Sequence, residues 1–474
     1  MSPQIAAVVY TLGIVGLFAL DRERGARPSK ALWIPVVWLW IVGSREVSQW
    51  LAALGVRQAG ALSGSPDRYA EGSPIDRAVY TGLLVLGMIV LFRRRSEIRR
   101  LLRANAPILL FFLYCAASIL WSDYPEIAFK RWIKALGDLV MVMVVLTDHD
   151  RLGAVRRILA RAGFLLIPLS VLFIKYYPEL GKAYKAASGT PVYSGAAPNK
   201  NMLGITCLIF GLGSVWRFLS VFRDRENAHR ARRLIAHGIL LAMVLWLFWM
   251  ANSMTAFCCF LLASGLMVTT SFRTLARRSS VVHFLFAAVV FVSFCTLFFD
   301  VGGVALDTMG RDRTLTGRTA LWDLVLSLSG NPLLGTGFES FWLGPRLARI
   351  WSIYWWHPNE AHNGYLEVYL NLGWIGLVLL AILIMTGYGN VLDTFRQHTE
   401  IGGLKLAYLV VGVVYNFTEA GFRMLDPVWI AFLLAVIAVP GDCKENQTTR
   451  AMNLETFSPE LAPCLTEVPS SWNP

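Results

Sequence analysis

The feature that most constrains this chain is the recurrence of apolar blocks of roughly 15 to 20 residues, the length a helix needs to cross a hydrocarbon core of about 30 Å. Such blocks fall near residues 4–20, 31–43, 78–92, 106–121, 132–146, 162–176, 202–221, 234–250, 254–271, 281–299, 365–388, 405–422 and 427–440. A backbone surrounded by lipid must satisfy its polar groups internally, which helices and closed barrels alone achieve. Unbroken blocks of this length predict helices. The expected fold is therefore all-α: a polytopic integral membrane helix bundle of about 12 or 13 spans with one large periplasmic loop. The second block has only 13 residues and is expected to tilt, or to be completed by the stretch to Leu54. The first, Gln4 to Leu20, lacks a basic leader and a cleavage site and reads as a retained span.

The connections set the orientation. Arg22, Arg24, Arg27 and Lys30 follow the first block, and Arg93, Arg94, Arg95, Arg99, Arg100 and Arg103 follow the third. Further sets stand at Arg151, Arg156, Arg157 and Arg161, at Arg223, Arg225, Arg230, Arg232 and Arg233, and at Arg273, Arg277 and Arg278. Two spans separate each set from the next, so all share one side, which the positive-inside rule makes cytoplasmic. The other side receives four longer segments, 44–77, 122–131, 177–201 and 300–364. Residues 1–440 thus read as the membrane domain, and 441–474 as a polar, Pro-containing disordered tail on the cytoplasmic side.

Composition excludes other classes. Only 16% of residues are charged, against about 25% in soluble domains, and the mean hydropathy is +0.52. The net charge of +13 lies in the short connections and accompanies no recognition motif, so no nucleic-acid partner is expected. The seven Cys show neither disulfide-framework nor metal-ligand spacing. There is no Walker loop, no zinc-protease helix and no nucleophile elbow. A chemistry without metal or cofactor is expected.

The informative stretch runs from Thr316 to Gly373. It holds Thr316-Gly317-Arg318-Thr319-Ala320-Leu321-Trp322, then Asn331-Pro332-Leu333-Leu334-Gly335-Thr336-Gly337-Phe338, then Ala361-His362-Asn363-Gly364-Tyr365-Leu366-Glu367. An Arg ahead of an aromatic, a Pro-x-x-Gly-x-Gly turn and an Ala-His-Asn-x-x-Leu entry into a span resemble the large periplasmic loop of the O-antigen ligase and polysaccharide polymerase superfamily. Ala31–Leu51 and Trp121-Ser122-Asp123-Tyr124-Pro125 resemble its exopolysaccharide-polymerase branch. The likeness covers residues 30 to 440, with its motifs concentrated in 191–420.

That resemblance implies a membrane glycosyltransferase of the bacterial inner membrane. Its donor is a glycan on undecaprenyl diphosphate, and its acceptor is either another glycan or the lipid A core. A chain-length regulator is an implied partner beside the bilayer itself. A transporter or flippase of lipid-linked saccharides is the alternative. It predicts an ionisable path and repeated halves, whereas the distinctive residues here gather on one loop.

Within this reading His362, where the loop meets a span, can titrate near neutrality and act as general base; the resemblance assigns it the acceptor hydroxyl. A His that merely bonds a loop carbonyl is the plainer alternative. Arg318 matches the motif as a bidentate phosphate clamp, with Arg311 and Arg313 as weaker companions. Lys200 and Asn201 precede span 202–221, where Lys200 either touches phosphate or anchors the helix at the interface. Lys130, Arg131 and Lys134 stand at the outer end of span 132–146. Lys130, Lys134 and Asp138 share a helical face, either as a structural ion pair or as the lining of a diphosphate pocket. Asn363, Glu367 and Asn371 form a polar stripe below His362, with Glu367 open as a site-lining group. Asn416, Glu419 and Arg423 are expected to stack on the next helix, with Glu419 and Arg423 as a structural salt bridge.

Overall fold

The structure is a computed structural model that describes residues 1–23, 28–55, 72–184, 189–224, 229–272, 279–298 and 314–440. Met1–Ala438 form one compact unit. The tail 441–474 lies outside the described residues, as do Arg311, Arg313 and parts of segments 44–77 and 300–364.

Helices account for the fold. They are α1 (Pro3–Leu20), α2 (Trp33–Val42), α3 (Val47–Ala53), α4 (Pro74–Arg93), α5 (Arg95–Ala104), α6 (Ala106–Ala117), α7 (Pro125–Leu146) and α8 (Arg151–Tyr176), followed by α9 (Lys200–Arg223), α10 (Arg230–Ala251), α11 (Met254–Thr270) and α12 (Ser279–Phe298). The last five are α13 (Thr314–Ser327), α14 (Gly344–Ile353), α15 (Gly364–Gln397), α16 (Thr399–Tyr415) and α17 (Pro427–Val436). One two-stranded hairpin, β1 (Lys182–Tyr184) with β2 (Pro191–Tyr193), closes segment 177–201. Six helices (α1, α4, α8, α9, α10 and α15) are long and apolar enough to cross a membrane, and α5 with α6 makes a seventh broken by an 89° bend. Shorter apolar helices, Lys30–Val42, Met254–Thr270, Ser280–Cys295 and Pro427–Val436, stand at four of the remaining expected positions. The chain is an all-α, multi-pass membrane protein.

Lipid has a clear place to lie. Val8, Leu12 and Val15 on α1, Leu86 and Ile89 on α4, and Val378 and Met385 on α15 are exposed apolar side chains that water would penalise. Inside, α16 and α17 are almost wholly buried and α9 mostly so, around Phe210, Tyr408 and Phe432.

Four of the five basic connections meet on one face, as their spacing requires; Arg24, Arg27, Arg225, Arg273, Arg277 and Arg278 lie outside the described residues. Arg94 pairs with Asp148 at 3.0 Å, and Arg156 bridges Glu23 at 3.5 Å and Glu400 at 3.0 Å. Arg217 and Arg233 join the same Glu23 at 3.5 and 3.4 Å. The longer segments meet on the other face. Arg45 donates to the Leu180 carbonyl, Ser122 bonds Ser340 at 2.7 Å, and Arg346 pairs with Asp123.

Block 405–422 does not stay helical to its end. α16 stops at Tyr415 because the Asn416 side chain captures the chain that follows. Its Nδ2 donates to the Gly412 carbonyl at 2.7 Å, and its Oδ1 accepts the amides of Gly421 and Phe422 at 2.8 and 2.9 Å. Asx side chains compete with the helix for backbone groups in this way. Asn416, Glu419 and Arg423 therefore do not stack on a helix; residues 416–426 form a loop facing the candidate site. Asp138 of α7 holds that loop, accepting from the Trp38 indole and the Leu425 amide, both at 2.8 Å.

Candidate active site

The site is built on a helix that is broken on purpose. Inside α15 Gly373 takes φ +64°, ψ −163°, which interrupts the ladder and leaves backbone groups on both sides without helical partners. The Pro-x-x-Gly-x-Gly turn supplies them. Thr336 N–H and Gly337 N–H donate to the carbonyls of Leu370 and Asn371 at 3.1 and 2.9 Å. The amides of Trp374 and Ile375 donate to Pro332 and Leu333 at 2.9 and 3.2 Å, and the Tyr114 hydroxyl takes the Leu372 carbonyl at 3.0 Å. Only glycine allows this approach. A Cβ on Gly373 would lie 2.3 Å from the Leu333 carbonyl carbon, and one on Gly335 would lie 2.4 Å from that of Asn371. The turn is thereby welded to the helix that carries the His motif.

Above the break, Asn363 caps α15, its Oδ1 accepting the amides of Tyr365 and Leu366 at 3.0 Å each. Glu367, one turn in, accepts from the Ala361 amide and from the Trp342 indole at 2.9 Å. Trp322 of α13 donates to the Ala361 carbonyl at 2.8 Å. Residue 361 is thus clamped through both its backbone groups, and His362 follows in a left-handed conformation, φ +50°.

His362 is the centre of an ion-pair network. Its Nδ1 lies 3.1 Å from Glu360 Oε1 and 3.2 Å from Glu419 Oε2. Arg423 closes on the far oxygen of Glu360 at 2.7 Å, and Arg318 on that of Glu419 at 3.4 Å while donating to the Thr418 carbonyl at 2.6 Å. Burial disfavours the imidazolium, but hydrogen bonds and charge from both carboxylates outweigh it and hold His362 at about 9. Burial likewise opposes ionisation of Glu360, yet His362 and Arg423 together hold its carboxyl below the usual range. The near-neutral titration expected of His362 is displaced upward by carboxylates that its motif does not contain.

One ligand atom each of Glu360, His362 and Glu419 lie within 4.8 Å of one another, a spacing a cation could use. Arg318 and Arg423 already neutralise both carboxylates, so an added divalent ion would face two guanidinium groups at close range. The arrangement is that of a charge-compensated histidine.

Arg423 joins this network to a cleft whose walls also include Arg131, Phe338, Trp342, Glu367 and Asn371, while His362 and Arg318 are not among its lining residues. The cleft is bounded by α6, α7, the glycine turn, the start of α15 and loop 416–426.

A family model described as O-antigen ligase matches residues 202–381. Over 287 residues the chain is 27% identical to the exopolysaccharide production protein ExoQ of Rhizobium meliloti (strain 1021), covering 59% of this chain and 63% of that relative. Over these stretches the chain is similar to the O-antigen ligase and polymerase superfamily. The similar segment spans less than two thirds of the relative's own length. The family match takes in Arg318, the glycine turn and His362 and stops before Glu419 and Arg423.

The expected site residues divide accordingly. His362 and Arg318 meet through Glu419; Arg131 and Glu367 line the cleft, and Asn363 caps the helix below. Lys130 is instead turned outward against Glu126, half-exposed, and does not line the cleft. The expected stripe of Lys130, Lys134 and Asp138 makes no shared pair, since Lys134 faces Glu46 at 3.9 Å and Asp138 bonds Trp38 and Leu425. Lys200 and Asn201 open α9 behind its Asn199 cap. The expected Glu419–Arg423 bridge gives way to Arg318–Glu419 and Arg423–Glu360. Glu360 was the group missed; its place two residues before His362 was the one available signal.

Proposed function

We propose that this chain is a membrane glycosyltransferase that moves a glycan from undecaprenyl diphosphate to an acceptor hydroxyl at the periplasmic face of the inner membrane, in exopolysaccharide polymerisation. The single observation that carries the reading is His362, oriented through Nδ1 by two compensated carboxylates, one of which, Glu360, pairs with Arg423 of the cleft wall. With Nδ1–H committed to Glu360 and Glu419, the lone pair of the neutral ring lies on Nε2, which takes the proton of the acceptor hydroxyl. The acceptor oxygen bonds the anomeric carbon, the bond from that carbon to the phosphate oxygen breaks, and the diphosphate leaves with its electron pair. Arg131 and Arg423 line the cleft where that charge develops. Arg318 makes no further hydrogen bond among the described residues beyond Thr418 and Glu419, which leaves part of its donor fork for a phosphate oxygen. Arginines that meet the leaving charge make the step possible without a metal.

Likeness to an exopolysaccharide production protein favours polymerisation over transfer to the lipid A core. The test is reconstitution with a polyprenyl-diphosphate-linked oligosaccharide, without nucleotide or added divalent ion. Release of polyprenyl diphosphate with lengthened glycan, lost in His362→Ala, is the expected result. Labelled lipid crossing the bilayer with no release would replace transfer by transport.

A further inference from the structure

Glu339 has a position that neither the family motifs nor the histidine network explains. It ends the turn Gly335-Thr336-Gly337-Phe338-Glu339 and lines the cleft half-buried. Its main-chain carbonyl accepts a hydrogen bond from Arg131, which pins the backbone. Its carboxylate makes no hydrogen bond or ion pair among the described residues, although Arg131 and Arg423 line the same cleft. The backbone there is at φ +51°, a conformation that a glycine would hold at lower cost. A strained residue with an uncommitted charge in a cleft points to a role for that charge.

The surroundings say what the charge can meet. A carboxylate repels a diphosphate, so the partner of the Glu339 side chain itself is not a phosphate. Phe338, Trp342, Phe422 and Trp429 supply apolar faces, and Asn359 and Asn371 supply amides. Aromatic faces with a carboxylate and amides suit a neutral, polyhydroxylated ring: hydroxyls donate to the carboxylate while C–H faces lie on the aromatics.

We propose that Glu339 is a specificity-determining residue of a sugar subsite, its carboxylate accepting hydroxyls of one sugar ring of the transferred or receiving glycan. The proposal rests on the transferase reading. Donor and acceptor sugars share this chemistry, and the experiment tells them apart.

Full-length protein in nanodiscs would be compared with Glu339→Gln and Glu339→Gly. The donor is the host's polyprenyl-diphosphate oligosaccharide, and the acceptor is the same oligosaccharide freed from lipid by mild acid. Loss of a charged hydrogen-bond acceptor raises the KM of one substrate by about 10- to 100-fold in both variants, with kcat at saturation little changed. A raised acceptor KM places the receiving sugar at Glu339, and a raised donor KM places the transferred one. Glu339→Gly relaxes the backbone, so a purely structural role predicts a variant at least as active as the parent. Unchanged KM for both substrates, or a fall in kcat with neither KM moved, would overturn the proposal. If the parent itself transfers nothing, the transferase reading has failed. Trp342 and Trp429 fluorescence, titrated with the delipidated oligosaccharide, then decides this proposal separately: weaker binding by Glu339→Gln upholds it and equal or absent binding ends it.

Discussion

The Gly337 amide donates to the Asn371 carbonyl at 2.9 Å, bridging a turn and a helix across the break at Gly373. The polar groups exposed by interrupting a membrane helix are returned to hydrogen bonding by a loop 34 residues earlier in the chain, counted from Gly337 to Asn371 (371 − 337). Broken helices at membrane depth persist where protein satisfies them.

Gly373→Ala should therefore be severely destabilising. The new Cβ would lie 2.3 Å from Leu333 backbone at φ +64°, so strain and overlap together should cost about 2–4 kcal/mol. Gly389→Ala in the same helix meets nothing within 4 Å and should be neutral or stabilising by about 0.5–1 kcal/mol. Thermal unfolding in detergent, followed by tryptophan fluorescence, checks the pair. Equal midpoints for both variants would contradict the account of the break.

The pH dependence of transfer should follow His362. A base held at about 9 is mostly protonated at pH 7, so the rate should rise about tenfold per unit between pH 7 and 8 and level off above 9. Stability moves the opposite way. A folded value raised from 6.5 gives a contribution fully present below pH 6.5 and lost as pH passes 9. Glu360, held low, adds a contribution present above 4.5 and lost as pH falls through its folded value. Initial rates and unfolding midpoints over the same buffers should show the divergence. A rate that falls above pH 8 while the fold persists would remove His362 as the base.

Glu360→Gln and Glu419→Gln should each move the rising limb of the rate profile from about 9 toward 6.5, because each removes a carboxylate that holds the imidazolium. The shift is the informative readout, since a merely structural loss would lower the rate at every pH alike. An unmoved limb in both variants would detach the carboxylates from the chemistry.

Lys130→Ala should leave transfer unchanged. Its ion pair with Glu126 is solvent-exposed, the kind of pair that contributes little. Arg131→Ala, one residue on, should lose most activity because it removes both a cleft cation and the bond that holds Glu339. Equal activity in the two would mean the cleft is not where the diphosphate sits.

Much of this protein was legible in its sequence because the membrane imposes a one-dimensional rule. Lipid demands long apolar helices and sorts basic connections to one side, so block length and the places of Arg94, Arg156 and Arg233 gave the architecture and its two faces. His362, Arg318 and the glycine turn were legible as local motifs. Tertiary structure decided who meets whom. Asn416 ends α16 through its own side chain and releases a loop that brings Glu419 and Arg423 to His362 and Glu360 from a separation of 57 to 63 residues. No periodicity encodes that meeting. It sets the charge of the central histidine, because ionisation depends on which charges lie within a few ångströms in space rather than along the chain.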